Sequence, residues 1–260
     1  MLIPIDHGNK NIKTLHRVFT SGLTASDTRP PFGENILQYD GKYYVLSEQR
    51  IPYMRDKTVD DRFFILTLFA IAFELEEASL STDEDILDIQ LAIGLPPLHF
   101  GGQYKKFQDY FLDRDIVDFT FNGRPYSVYI DKAVCYPQAY AAALASPQVR
   151  EQQKLMIVDV GGFTVDYVQI RDRRPDFAVC DSLESGVITL YNDIIRKVDG
   201  DLDLLLEESD IDAILSGEDA DYPAQAAAIV HSKARAFIDG LAGKLRERMI
   251  DLRVGKTVFV

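Results

Sequence analysis

The sequence predicts an α/β fold with mixed sheets, built from two similar halves that face each other across a cleft. Three observations predict it. Short apolar segments alternate with longer segments of helical spacing. Asp40-Gly41 and Asn122-Gly123 each separate two apolar runs, and such pairs favour the tight turns of hairpins. The pattern of buried strand, Asp, any residue and Gly occurs at 5–8 and again at 158–161, near the start of each half.

The composition is that of an ordinary globular protein with an acidic surface. The 260 residues suffice for one large domain or two smaller ones. The formal net charge of −13 argues against direct binding to nucleic acid or anionic lipid, since both would repel the chain. Cys135 and Cys180 lie in apolar stretches and are predicted to be buried free thiols, which suits a reducing cytoplasm. We therefore expect a cytoplasmic protein that contacts neither membranes nor nucleic acid directly.

The first half is predicted to contain hairpins around one long helix. Its elements in order are a strand at 2–5, a turn at 7–9, a strand at 12–20, a loop at 30–33, a hairpin at 35–47, a helix at 59–79, a buried strand at 88–94 and a helix at 104–112. The apolar stretch of the long helix, at 63–73, is too short to cross a bilayer and runs into acidic residues. It therefore indicates a helix buried in the core.

The second half repeats the strand pattern and adds more helix. The first half ends with a predicted hairpin at 117–130 and a short helix at 137–145. The predicted elements of the second half are a strand at 154–158 that resumes at 163–170, helices at 187–197 and 232–251, and a final strand at 256–260. Residues 198–232 contain many acids and neither Lys nor Arg. This stretch is either a solvated, partly helical surface or an acidic docking face.

The two Asp-x-Gly loops have the chemistry of a nucleotide phosphate site. Glycine lets backbone amides approach phosphate oxygens, and Asn9 and Thr164 can add side-chain donors. Asp6 and Asp159 can each hold Mg²⁺ through its water shell, because this ion keeps several waters and takes few carboxylates. Lys13 can place a point charge on a phosphate. The alternative is that each loop is merely a hairpin turn.

The motifs and their order resemble the actin-like ATPase superfamily, and most of all its plasmid-segregating ParM (StbA) branch. The resemblance rests on Asp6, Gly8 and Lys13 in IDHGNKNIKT, on IVDVGGFTVD at 157–166, on AIGLPP at 92–97, on YPQAYAAA at 136–143 and on DSLESGVITLY at 181–191. It covers most of the chain. It implies an actin-like, duplicated ribonuclease H-like fold with two domains around a nucleotide cleft.

The resemblance also implies roles for individual residues. Asp6 and Asp159 correspond to the residues that hold Mg²⁺ through water, and Gly186 to a neighbour of the ribose or phosphates. The residues that correspond to the family's phosphate contacts are Gly8, Asn9, Lys13, Gly161, Gly162 and Thr164. Gln138 corresponds to the residue that orients the attacking water. An amide is a poor base, so hydrolysis is expected to be slow. The alternative for Gln138 is a surface residue that caps a helix, and His7 receives no chemistry.

The end of the sequence departs from the family pattern. KTVFV at 256–260 resembles the strand that precedes the adenosine-binding glycine-rich loop, and the sequence then stops. We therefore expect a chain truncated relative to the family, with domain I at 1–153, an inserted lobe at about 33–85, and an incomplete domain II at 154–260. The purine pocket would lack one wall, which leaves open whether this chain is active.

The resemblance implies a filament-forming ATPase that uses ATP or GTP with Mg²⁺. Hydrolysis would control the stability of filaments formed by self-association, and an adaptor protein bound to centromere-like DNA would link them to a plasmid or other mobile element. Two alternatives remain. The first is a kinase of the same superfamily that phosphorylates a small molecule such as a sugar. The second is a non-enzymatic scaffold with an actin fold and weak nucleotide binding.

Overall fold

The computed structural model describes residues 1–80, 86–139, 152–172, 174–218 and 221–260. Its strands are β1 Leu2–His7, β2 Asn11–Lys13, β3 Val18–Thr20, β4 Leu23–Ser26, β5 Ile36–Tyr39, β6 Lys42–Leu46, β7 Leu87–Leu95, β8 Val117–Phe121, β9 Arg124–Pro137, β10 Lys154–Val160, β11 Val165–Arg171, β12 Arg174–Leu183 and β13 Thr257–Phe259. Its helices are α1 Arg62–Glu77, α2 Pro97–Leu112, α3 Val187–Leu202, α4 Glu208–Ser216 and α5 Ala224–Glu247. The α/β class predicted from the sequence is confirmed.

The first half of the chain forms one mixed sheet in the order β3-β2-β1-β7-β9-β8-β5-β6-β4. Its centre is parallel, because β7 pairs in parallel with both β1 and β9. The carboxyl ends of these three strands therefore lie at one edge of the sheet. Asp6, Leu95 and Pro137 stand at or next to those ends, which brings the first Asp-x-Gly loop beside Gln138.

The second half forms a smaller sheet in the order β12-β11-β10-β13. β10 and β11 are an antiparallel pair in which Asp159 lies opposite Asp166, and β13 adds to β10 in parallel. Leu241 and Leu245 of α5 pack against the apolar side chains of β10 and β11. The second Asp-x-Gly loop is the turn between β10 and β11.

Helix α1 is a core helix, as predicted. Residues 63–75 are all buried, and their side chains pack against the large sheet. A helix that is apolar on nearly every side is stable only when other elements enclose it. Among the helices in the described part of the chain, none has both the length and the apolarity that crossing a bilayer requires.

Both predicted hairpins are confirmed. Asp40 and Gly41 have φ of 48° and 72°, and Asn122 and Gly123 have φ of 52° and 82°. Positive φ at both central residues is the signature of a type I′ turn, whose twist matches that of the flanking strands. The two cysteines are free, Cys135 being buried and Cys180 half-buried.

The single strand predicted at 12–20 is wrong. The chain breaks after β2, where the Thr14 N–H donates to the Arg17 carbonyl, and resumes as β3. The break lets the Thr14 hydroxyl and the His16 ring hydrogen-bond the buried carboxylate of Glu74 in α1, at 2.5 and 2.8 Å. A buried carboxylate needs such partners, and this need outweighs the local preference for one strand.

Other boundaries also differ from the predictions. α2 begins at Pro97 rather than at 104, because a proline fits the first helical position. α5 begins at Ala224, directly after Pro223, and ends at Glu247 rather than 251. β12 was not predicted as a strand. Of the helix predicted at 137–145, Pro137 ends β9 and Gln138 lies in a turn, whereas residues 140–145 lie outside the described residues.

Candidate functional site

The two Asp-x-Gly loops face each other across one cavity of about 290 Å³. The cavity lies between the turn after β1 and the turn between β10 and β11. All but one of the residues predicted for the site line it, namely Asp6, Gly8, Asn9, Lys13, Gln138, Asp159, Gly161, Gly162 and Thr164. The paired loops inferred from the sequence are therefore also paired in space.

The first loop is a tight turn that presents an acid and a lysine side by side. Asp6 on β1 lies opposite Lys13 on β2, and the Lys13 Nζ is 3.6 Å from the Asp6 Oδ2. A side chain at Gly8 would place its Cβ 2.4 Å from the Asn11 carbonyl oxygen, so only glycine fits there. The Ser21 hydroxyl donates to the Gly8 carbonyl at 2.7 Å and fixes the turn.

The second loop is packed against the start of α3. The N–H groups of Val187 and Ile188 donate to the carbonyls of Gly161 and Gly162, at 3.1 and 2.9 Å. Gly186 lies behind this loop rather than on the cavity wall, and a Cβ on it would come 2.4 Å from the Gly162 oxygen. The structure therefore brings Gly186 to the loop, where its lack of a side chain permits the close packing.

Gly162 is where the two loops touch. A Cβ on it would lie 2.8 Å from the Lys10 Cβ and 3.1 Å from the Lys10 backbone nitrogen. We expect Gly162→Ala to push the loops apart and to lower the free energy of unfolding by about 1–3 kcal/mol, as overpacking does. Gly200→Ala is the control, because a Cβ at this helical site in α3 meets no atom within 4 Å. Urea titration that shows equal or higher stability for Gly162→Ala would contradict this packing.

Three carboxyl groups lie at the cavity. Burial, helped by the charge of Asp6, raises the pKa of Asp159 to about 6. Burial raises the pKa of Asp166 to about 7, and the charge of Asp159 adds to this. The Asp166 Oδ1 is buried and has no hydrogen-bond partner in the part of the chain that the structure describes. The residues around Asp159 and Asp166 therefore stabilise the ionised forms of these carboxyl groups poorly.

This donor set fits a hydrated Mg²⁺ ion. The charge of Asp6 adds to burial in raising the pKa of Asp159 on the opposite loop, and a divalent cation between the two carboxylates would remove that repulsion. Two carboxylates with waters in the remaining positions suit Mg²⁺, which rarely takes an all-protein cage. Among the described residues, no cluster of three or more His, Cys, Asp or Glu forms such a cage. Asp6 and Asp159 are thus the residues that would hold the ion.

Gln138 reaches the first carboxylate directly. Its Nε2 donates to the Asp6 Oδ1 at 2.6 Å, and its side chain forms part of the cavity wall. A Cβ on Gly94 would come 3.0 Å from the Gln138 Cγ, so the glycine at the end of β7 makes room for the amide. The amide is positioned to hold a water or a phosphate oxygen next to Asp6.

Lys57 was missed by the sequence analysis. Its side chain is only 3% exposed, and its Nζ donates to the His7 backbone carbonyl at the end of β1. Burial lowers the pKa of Lys57 to about 8, although the charges of Asp6 and Asp166 oppose this shift. Lys57 lies in an irregular, polar segment, where no periodicity or motif marks it as buried.

His7 is a core residue, consistent with the absence of any predicted chemistry. It is completely buried, packs against the rings of Phe107 and Phe111, and its Nε2 lies 2.8 Å from the Thr67 hydroxyl. Burial, with the charge of Lys57, holds the pKa of His7 well below its usual 6.5. The ring is therefore neutral and does not line the cavity.

Asp166 gives the site a measurable pH signature. Its pKa is about 7 in the folded chain and about 3.9 in an unfolded one, so the folded state binds the extra proton between these values. Its contribution to stability is therefore present at low pH and lost as the pH rises through 7. Relative to Asp166→Asn, the unaltered chain should gain about 2–3 kcal/mol when the pH falls from 7.5 to 5. A difference that stays constant in urea titrations across this range would contradict the buried, uncompensated acid.

A family model described as the N-terminal domain of actin-like proteins matches residues 4–140, which is more than half of the chain. No curated protein matches the sequence. The matched range contains the first loop, Gln138 and the large sheet. The second loop and the small sheet lie outside it.

Solved actin-like structures share the fold over nearly the whole chain. The archaeal actin homologue Ta0583 has a TM-score of 0.71 at 18% identity, over 99% of this chain and 86% of that one; it is also known as a complex with ADP. A ParM filament subunit from Clostridium botulinum gives 0.71 at 18%, over 94% and 82%. The actin-like protein Alp7A gives 0.73 at 13%, over 100% and 83%. The fold predicted from the sequence motifs is therefore confirmed as actin-like.

Proposed function

The chain belongs to the family of actin-like proteins, and we propose that it is a filament-forming member that binds and hydrolyses ATP or GTP with Mg²⁺ in the cavity between its two loops. One observation carries this proposal. The loops from the two sheets, each with an Asp and glycines, line the same cavity and contact each other at Gly162. The known ADP complex of Ta0583, which shares the fold, supports nucleotide as the ligand.

The proposed role of each residue follows from its position in the cavity. Gly8, Gly161 and Gly162 let backbone N–H groups approach phosphate oxygens, and Asn9 and Thr164 supply further donors. Lys13 places its charge next to Asp6, where it can neutralise a terminal phosphate. Mg²⁺, when bound, would neutralise the negative charge that develops on the phosphate oxygens during transfer. Phosphoryl transfer needs mostly this positioning and charge neutralisation, so the residues suffice for slow hydrolysis.

Gln138 is proposed to orient the attacking water. Its amide is already fixed by the hydrogen bond to Asp6, and the remaining carbonyl oxygen can accept from a water in the cavity. Because an amide takes a proton poorly, the water would be held in line without strong activation. We therefore propose a low turnover that depends on the closure of the two halves, which we assign as domain I at 1–153, with its lobe at about 33–85, and domain II at 154–260.

Self-association and a link to DNA complete the proposal. ParM from Clostridium botulinum forms a filament, and this chain shares its fold at 18% identity. A filament requires head-to-tail contacts that do not close into a ring. The net charge of −13 disfavours direct contact with DNA. An adaptor protein bound to centromere-like DNA would therefore connect such filaments to a plasmid or other mobile element in the cytoplasm.

Sedimentation tests this proposal across a wide range of protein concentrations. With ATP or GTP and Mg²⁺ the protein should pellet and release phosphate without any added acceptor, and with ADP the pellet should shrink. Protein that stays in the supernatant under every condition would contradict the filament. Phosphate transfer that requires a sugar would indicate a kinase instead. Assembly that is the same with and without nucleotide would indicate a scaffold.

A further inference from the structure

Lys10 joins the first phosphate loop to the opposite half of the molecule. It lies in the turn between β1 and β2, and its Nζ donates to the Tyr191 hydroxyl of α3 and to the Asp212 Oδ2 of α4, each at 2.7 Å. The Tyr191 hydroxyl in turn donates to the other oxygen of Asp212. The ammonium also lies 4.4 Å from the centre of the Tyr191 ring. One lysine of the loop thus hydrogen-bonds both helices.

The same ammonium stands at the junction of two cavities. Lys10 lines the cavity between the loops, together with Tyr191. It also lines a larger outer cavity of about 970 Å³, whose walls include Arg50 of the first half and Glu208 and Asp212 of the second. A ligand whose phosphates occupy the inner cavity would therefore come within reach of Lys10.

The proposed nucleotide site supplies Lys10 with a second anionic partner. On the premise of that proposed function, we propose that Lys10 is a phosphate-binding residue that exchanges Asp212 for the phosphate chain of a nucleoside di- or triphosphate. The exchange couples occupancy of the cavity to helix α4. In this assignment Asp212 competes with the nucleotide for one cation.

The chemistry of the three groups permits this exchange. An ammonium has three donors, so Lys10 can keep the Tyr191 hydroxyl while it changes its anionic partner. A phosphate chain carries more charge than one carboxylate and accepts stronger hydrogen bonds. The Asp212 side chain is 48% exposed, so water can replace the ammonium at little cost, whereas Lys10 is 22% exposed and needs an anion nearby.

Helix α4 would respond because few charged contacts hold it to the first half. Besides the Lys10 pair, the Arg50 Nε lies 3.3 Å from the Glu208 Oε1. The first turn of α4 is acidic and so would repel a phosphate chain in the neighbouring cavity. If the Lys10 contact is lost, the Arg50–Glu208 ion pair therefore remains as the charged contact between α4 and the first half in the described part of the chain.

Two substitutions with opposite expected effects test the exchange. Lys10→Met removes the cation and should weaken the binding of Mg·ADP and of Mg·tripolyphosphate, measured by calorimetry, by about tenfold, as expected for one charge-assisted contact. Asp212→Asn keeps the shape and one acceptor oxygen but removes the competing charge. It should strengthen the binding of both probes by about two- to fivefold, the range of a partly exposed ion pair. Tripolyphosphate isolates the phosphate chain from the base.

The control is an ion pair of the same kind away from the cavities. The Lys233 Nζ lies 2.9 Å from the Asp193 Oδ2, and Lys233→Met should leave both affinities unchanged. If Asp212→Asn weakens binding or leaves it unchanged, the pair is only structural and the inference is wrong. If Lys10→Met does not fold, the sign of the Asp212→Asn effect alone decides. If the unaltered chain binds neither probe, the proposed function fails as well.

Discussion

Asp159→Asn is expected to slow the release of phosphate from ATP by at least about 100-fold and to remove the dependence on Mg²⁺. Asp159 is one of two carboxylates that would hold the hydrated ion, and it faces Asp6 across the cavity. Asn has the same shape without the charge, so the substitution removes the electrostatic contribution and keeps the packing. Enzyme-coupled phosphate release, with Mg²⁺ varied, measures the effect.

The same substitution should not unfold the protein. Burial and the charge of Asp6 already disfavour the ionised form of Asp159, whose pKa is about 6, so a neutral side chain relieves repulsion at pH 7.5. Thermal unfolding should occur at an equal or higher temperature. Asp172→Asn is the control, because Asp172 is exposed at the far end of the same hairpin, and its φ of 51° is one that Asn tolerates. Unchanged turnover in Asp159→Asn would contradict the site assignment.

Lys57→Met is expected to change how stability depends on pH. The pKa of Lys57 is about 8 in the folded chain and about 10.5 in an unfolded one. Above pH 8 the folded state loses this proton first, so the unfolded state binds more protons and stability rises with pH up to about 10.5. The shift corresponds to about 3 kcal/mol of unfavourable burial at neutral pH. Met removes that cost, so the variant should be more stable at pH 7.5.

The difference between the two proteins reports the Lys57 charge and its effect on the neighbouring Cys135 thiol. Burial raises the pKa of that thiol to about 12, although the Lys57 charge opposes this, and the raised pKa lowers stability above pH 9. The advantage of Lys57→Met should therefore shrink between pH 7.5 and 9.5, as measured by urea titration. Lys106→Met is the control, because Lys106 is exposed and pairs with Asp56 in the same segment as Lys57. A variant that is less stable at pH 7.5 would contradict this, and would show that the attraction of the Lys57 charge to Asp6 and Asp166 outweighs the cost of its burial.

Local chemistry made much of the fold and the loops predictable. The Asp40-Gly41 turn requires positive φ at both positions. Few residue pairs other than Asp-Gly and Asn-Gly adopt this conformation without a large steric cost. The Asp-x-Gly loops were recognisable because Gly8 and Gly162 have no room for a side chain. A Cβ would lie 2.4 Å from the Asn11 carbonyl oxygen at Gly8 and 3.1 Å from the Lys10 backbone nitrogen at Gly162. These constraints act within a few residues of the chain or recur as a motif, so they leave a signal in the sequence.

Contacts between distant segments left no such signal. Lys57 reaches the His7 carbonyl across 50 residues, and Lys10 reaches Asp212 across 202. Lys57 belongs to no periodic or motif pattern. Lys10 stands within IDHGNKNIKT, but nothing in that stretch indicates Asp212, because the partner of each lysine is set by tertiary packing. The break in the strand at 12–20 has the same origin, since the buried Glu74 that causes it lies on α1. Contacts set by tertiary packing between distant segments were therefore the ones that sequence reasoning missed.

We propose that the two facing loops form one Mg²⁺-nucleotide site. Calorimetric titration of ADP into the unaltered chain, with Mg²⁺ and with EDTA, tests it most directly. We expect one nucleotide per chain, with an affinity that falls at least about tenfold in EDTA and a dependence on Mg²⁺ that disappears in Asp6→Asn and in Asp159→Asn. Binding that is equally tight in EDTA and in both variants, or the absence of any binding, would contradict it.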